Sequence, residues 1–111
     1  MFSRDREKLK SFLGTQSELK GELSSTGILR LDGDVSGKIR ADEVILTETA
    51  VIQGEITARR IIVGGRVEGV LIAEELLEIR PKGRVRGAIV ARRLVMAGGG
   101  KLDGRIEMPA A

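Results

Sequence analysis

From residue 19 onward the chain alternates apolar and polar positions with a period of two, punctuated at regular intervals by glycine. The punctuating residues are Gly21, Gly37, Gly54, Gly69, Gly87 and Gly104, separated by 16, 17, 15, 18 and 17 positions. Aligned on them, the neighbours agree. Two residues before each glycine stands an aliphatic (Leu19, Val35, Ile52, Val67, Val85, Leu102), and two residues after stands another (Leu23, Ile39, Ile56, Leu71, Ile89, Ile106). Four residues after, the side chain is small in five units (Ser25, Ala41, Ala58, Ala73, Ala91) and Met108 in the sixth. Positions spaced by two point to one side of a strand, and the residues between them, such as Asp34, Ser36, Lys38 and Arg40, are polar. A second apolar cluster begins seven residues after five of the glycines, at Ile28, Val44, Ile61, Leu76 and Leu94, and predicts a second short strand per unit. Turn residues separate the units at Asp32-Gly33, Gly64-Gly65, Pro81-Lys82-Gly83 and Gly98-Gly99-Gly100. The helical spacing of three and four is missing from this region.

A unit of about 17 residues is too small to bury its own apolar side, whereas stacked units line a common interior with aliphatic columns. The pattern therefore predicts an all-β, single-domain parallel β-helix (a solenoid) of about six coils. With one strand spacing of about 4.8 Å per coil, the rod is about 25–30 Å long. An antiparallel meander would give no reason for side-chain identity to recur in phase. The glycine at the centre of the inward row reads as a place where a narrow or bent wall leaves no room for a side chain. Residues 16–108 form the β-helix, 1–15 an N-terminal tail, and 109–111 a short C-terminal tail.

Composition narrows the chemistry. The 111 residues contain no Cys, no His and no Trp, and the only aromatics are Phe2 and Phe12. Disulfides, thiol catalysis, imidazole acid–base chemistry and cysteine or histidine metal sites are thereby excluded. Close carboxylates (Asp32/Asp34, Asp42/Glu43, Glu74/Glu75) fall where coil corners are expected and read as solvated turn residues. Gly98-Gly99-Gly100-Lys101 lacks phosphate-loop spacing, because Leu102 stands where Ser or Thr would hold a cation. No catalytic residue, cofactor or metal is expected, and the chain reads as no enzyme. The net charge is +3, and Arg59-Arg60, Arg84, Arg86 and Arg92-Arg93 stand at outward positions. Without aromatics to stack on bases they read as a soluble face, and no nucleic acid partner is expected.

The units Val35-Ser36-Gly37-Lys38-Ile39-Arg40-Ala41 and Ile52-Gln53-Gly54-Glu55-Ile56-Thr57-Ala58, set behind a short tail in a chain without catalytic residue types, resemble the bactofilins. These are a bacterial family of polymer-forming cytoskeletal proteins, and the resemblance covers residues 16–108. It implies a right-handed, roughly triangular β-helix that assembles end to end, without nucleotide, into non-polar filaments. It also implies a scaffold for cell shape and for placing client proteins, cytoplasmic and held peripherally at the inner face of the membrane.

Physical reasoning agrees with assembly. A β-helix ends in unpaired backbone groups and an open slice of its interior. Leu19, Leu23, Ile28 and Leu31 at one end, and Leu102, Arg105, Ile106 and Met108 at the other, are the expected contacts between copies. Lys101 and Arg105 would weaken assembly if they crowded their symmetry mates. In the tail, Met1 and Phe2 beside Arg4, Arg6, Lys8 and Lys10 suit weak binding to anionic lipid, which many tails on one filament would strengthen. The rival readings are a β-helix binder of an anionic polymer (nucleic acid or polysaccharide) and, further off, a β-helix transferase.

Overall fold

A computed structural model describes residues 13–109, with side chains from Gly21 onward. Seven strands follow one another: β1 (Leu13–Ser24), β2 (Ile28–Arg40), β3 (Glu43–Leu46), β4 (Val51–Val63), β5 (Arg66–Ile79), β6 (Arg84–Met96) and β7 (Lys101–Glu107). They form one sheet in sequence order, every pairing parallel, with β2 also reaching β4. The wound sheet is a parallel β-solenoid. The ladder starts at Leu13, which pairs with Leu31, so three residues assigned to the tail on sequence belong to the first strand.

The aliphatic columns fall into register as the alternation requires. Leu19, Val35, Ile52, Val67, Val85 and Leu102 pair successively, as do Leu23, Ile39, Ile56, Leu71, Ile89 and Ile106. The second apolar cluster supplies two further columns, Leu29–Val44–Ile61–Leu77–Leu94 and Leu31–Leu46–Val63–Ile79–Met96. Among the described residues the buried side chains are Leu, Ile, Val and Ala apart from Ser25, with Gly33, Gly64, Gly65 and Gly83 buried at turns. Among the described residues its wall needs no aromatic, because slim aliphatics stacked one coil apart already fill a narrow tube.

Two expectations change. Six glycines mark six rungs, but six rungs bound only about five full turns, because each turn lies between two successive rungs and the first and last each have a neighbour on one side only. The second strand is separate only in the first two units, where β1 stops before Ile28 and β3 stands apart from β2. In β4, β5 and β6 the chain stays in the ladder round the corner between them, and β2 runs unbroken through Asp32-Gly33.

Unequal coils keep register by adjusting at corners alone. The 15-residue step has the two-residue turn Gly64-Gly65, where other coils use four-residue turns closed by Ala50 N–H to Thr47 O, Gly83 N–H to Arg80 O, or Gly100 N–H to Ala97 O. The 18-residue step has an extra residue at Glu74-Glu75, where the β5 ladder slips against both neighbours.

The glycine column stands at a bent wall, as read on sequence, and the structure names what leaves no room there. Gly54, at φ 138°, lies at a corner of the coil in a region that L side chains rarely adopt. A Cβ there would run into the carbonyl of Gly37 in the coil before it, not into the core. The same contact repeats at Gly37, Gly69, Gly87 and Gly104, each against the glycine one coil earlier. Backbone stacking excludes the side chain.

Candidate self-assembly interface

The two ends differ from everything between them. Among the described residues β1 pairs only with β2, and β7 only with β6, so each end of the described ladder presents a strand edge with unpaired backbone groups. At the C-terminal end the interior is open. Ile106 is 39% exposed, whereas Ile89, one coil earlier in the same column, is 1% exposed. Met108 is 52% exposed, and Leu102 is only partly buried against the core. Met96, the last of an inward column, is also exposed at this end, and Val95 is exposed at the outward position beside it. Leu94-Val95-Met96 is the last of the second clusters, and no described rung stacks on it, which the repeat alone does not show. Arg105 is exposed, as are Lys101, Asp103 and Glu107; all four stand on outward positions of β7 around the Gly104 corner.

At the N-terminal end Ile28 is 48% exposed at an outward position. Leu19 takes its place in the ladder opposite Val35. Leu31 is a correction: it is fully buried, because the ladder begins at Leu13, opposite it, rather than at residue 16. Leu23 is also buried. Neither offers a side chain to another copy, so this end presents mainly its β1 edge and Ile28. Met1, Phe2, Arg4, Arg6, Lys8 and Lys10 lie outside the described residues.

The corner carboxylates engage neighbouring coils. Thr49 Oγ1 donates to Asp32 Oδ1, and Arg59 lies 2.9 Å from Asp42 and 3.4 Å from Glu75, tying three coils together along one corner. Among the described residues no three acidic side chains gather to hold a metal ion. The arginines picked out on sequence fall into separate groups: Arg84 and Arg86 stand before the glycine corner, whereas Arg60, Arg92 and Arg93 line one open depression with Glu75, Leu76 and Pro109. Among the described residues no helix is long and apolar enough to cross a membrane.

Comparison with known proteins bears on this geometry. Residues 11–107 match the family model "Bactofilin: Polymer-forming cytoskeletal". The chain is 31% identical over 97 residues to Bactofilin BacO of Myxococcus xanthus, covering 86% of this chain and 77% of that protein. Bactofilin BacP of the same organism is 28% identical over 97 residues, again 86% of this chain but 40% of its own length. A cryo-EM reconstruction of Thermus thermophilus bactofilin double helical filaments superposes with a TM-score of 0.79 at 27% identity, over 88% of this chain and 98% of that one. A stacked solenoid with unpaired edges at both ends and a family match along nearly its whole length make this chain a member of the bactofilins, the polymer-forming cytoskeletal family.

Proposed function

We propose that this chain is a non-enzymatic structural subunit that stacks end to end, without nucleotide, into non-polar filaments. The observation that carries the reading is the contrast along a single column: Leu71 and Ile89 are sealed inside the solenoid, and Ile106 above them lies open beside an unpaired strand. A second copy covering that edge would extend the ladder and the dry interior together, as stacked strands do in other cross-β assemblies. The filament serves as a scaffold at the inner face of the membrane, where it helps shape the cell and positions client proteins. The tail supplies the attachment through Met1 and Phe2 with Arg4, Arg6, Lys8 and Lys10. Burying one Phe contributes about 1.5–3 kcal/mol, and each basic residue near anionic lipid about 1 kcal/mol. One tail holds weakly; a row of them holds firmly.

Negative-stain microscopy with size-exclusion chromatography tests the assembly. The wild-type chain forms filaments, and Met108→Asp gives particles of one or two subunits. Undiminished fibres from that variant would refute the end-stacking contact. Co-sedimentation with anionic liposomes tests the attachment: Phe2→Ala lowers the bound fraction, and unchanged binding would remove the tail from the role.

A further inference from the structure

The corner that follows each glycine rung carries a pattern of its own. Five and six residues past the glycine stand Asp42-Glu43, Arg59-Arg60, Glu74-Glu75 and Arg92-Arg93, acidic and basic pairs in turn from coil to coil. Arg59-Arg60 lies between two acidic pairs. Arg92-Arg93 follows one, and the pair after it is Pro109-Ala110, without charge. Among the described residues both ion pairs of this corner belong to Arg59, which takes Asp42 on one side and Glu75 on the other. Arg60, Arg92 and Arg93 are exposed and make none. The extra residue at Glu74-Glu75 explains why. Where the β5 ladder slips, Leu76 and not a glutamate takes the place between Arg60 and Arg93. The two arginines thus stand two strand spacings apart, about 10 Å, on either side of a half-buried leucine. With Arg92, Glu75 and Pro109 they line an open depression. Like charges gathered in this way work against the fold, and a counter-charge relieves them.

We propose that this depression is a docking site for an acidic segment of a partner protein, whose carboxylates meet Arg60, Arg92 and Arg93 while an aliphatic side chain beside them covers Leu76. The proposal names a surface for the positioning of clients and rests on the scaffold reading above for its role in the cell. Charge complementarity selects the occupant. Planar guanidinium forks match carboxylates in paired hydrogen bonds, and the leucine floor adds an apolar contact that a bare anion does not use. A nucleic acid would find nothing to stack on, since no aromatic stands beyond Phe12. A flat anionic membrane would meet Glu75 at the rim and Glu78, two residues along β5 from Leu76 on the same outward side. The depression lies on the flank of the solenoid, so stacking at the ends leaves it open, and a filament offers it in a row.

The probe is a fluorescein-labelled peptide, Glu-Glu-Leu-Glu-Glu between glycines, read by anisotropy against the full chain at low ionic strength. The wild type should bind it, and should bind the Gln-Gln-Leu-Gln-Gln counterpart about tenfold more weakly. Arg60→Gln with Arg93→Gln should weaken binding about tenfold. Arg84→Gln with Arg86→Gln removes the same charge from another part of the surface and should leave binding within about twofold. Arg60→Glu with Arg93→Glu should turn the preference to a Lys-Lys-Leu-Lys-Lys peptide. Circular dichroism melting checks that each variant folds as the wild type does. Equal losses from the two glutamine doubles would reduce the effect to net charge and overturn the site. A wild type that ignores the peptide, or that binds oligothymidylate or phosphatidylglycerol vesicles through Arg60 and Arg93 in its place, would overturn the acidic segment as occupant. Negative-stain images of the same samples keep the two readings apart: intact filaments without peptide binding remove the site alone, and bound peptide without filaments removes the scaffold alone.

Discussion

A methyl group added at Gly54 measures how strongly stacked backbones dictate the glycine column. At Gly54 the φ of 138° strains any L residue, and the new Cβ would overlap the Gly37 carbonyl, lying 2.9 Å from its carbon and 3.0 Å from the Gly37 nitrogen. At Gly21 the φ of 112° imposes comparable strain, but no described atom lies within 4 Å of the same methyl, because no described rung precedes β1. Strain of this kind costs about 1–3 kcal/mol, and the stiffer unfolded chain returns about 0.4–1 kcal/mol. Gly21→Ala should therefore lose about 1–2 kcal/mol. Gly54→Ala must in addition separate two rungs and give up two or three ladder hydrogen bonds at about 1 kcal/mol each, for a total of about 3–5 kcal/mol. For a domain with about 5–15 kcal/mol in all, the expected falls in Tm are about 5–10 °C and about 15–30 °C respectively. The assay is urea and thermal unfolding followed by far-ultraviolet circular dichroism, at a dilution where sedimentation shows single chains, so that assembly does not contribute. Equal losses at the two sites, or a loss below about 1 kcal/mol at Gly54, would refute steric exclusion by the neighbouring rung. In filaments the order should change for Gly21→Ala. Its methyl projects beyond the first rung, so the variant keeps its fold and loses assembly.

Further outcomes follow from the columns and corners. Leu71→Ala, fully buried in mid-column, should cost about 2–5 kcal/mol of single-chain stability by urea unfolding. Ile106→Ala, in the same column but 39% exposed, should cost less than about 1 kcal/mol while raising the concentration needed for filaments. A larger stability loss at 106 than at 71 would mean that the last coil is not open. Arg59→Ala removes the bridge from Asp42 to Glu75, whose side chains are all about half exposed, and should cost under about 1 kcal/mol. That difference should disappear in about 1 M salt, where screening extends to a few ångströms.

The wound fold was legible before any coordinates, and for a physical reason. Side-chain direction in a strand has period two, and a column of like residues repeats once per coil, so both the inward row and its stacking are written along the chain. Val35, Ile52, Val67 and Val85 pair as their phase required. What the repeat could not show are relations that depend on which rung lies above or below. The cause of the glycine column is the carbonyl of another coil. The number of turns is set by rungs having neighbours, and Leu31 is buried because the ladder begins three residues earlier than the repeat. Glu74-Glu75 and Gly64-Gly65 absorb unequal coil lengths at corners, where alternation carries no signal. The exposure of Met96, and the placing of four balanced charges on the last described strand, likewise arise only where the ladder stops. Local pattern determined the tube, and its tertiary winding decided what the open ends present.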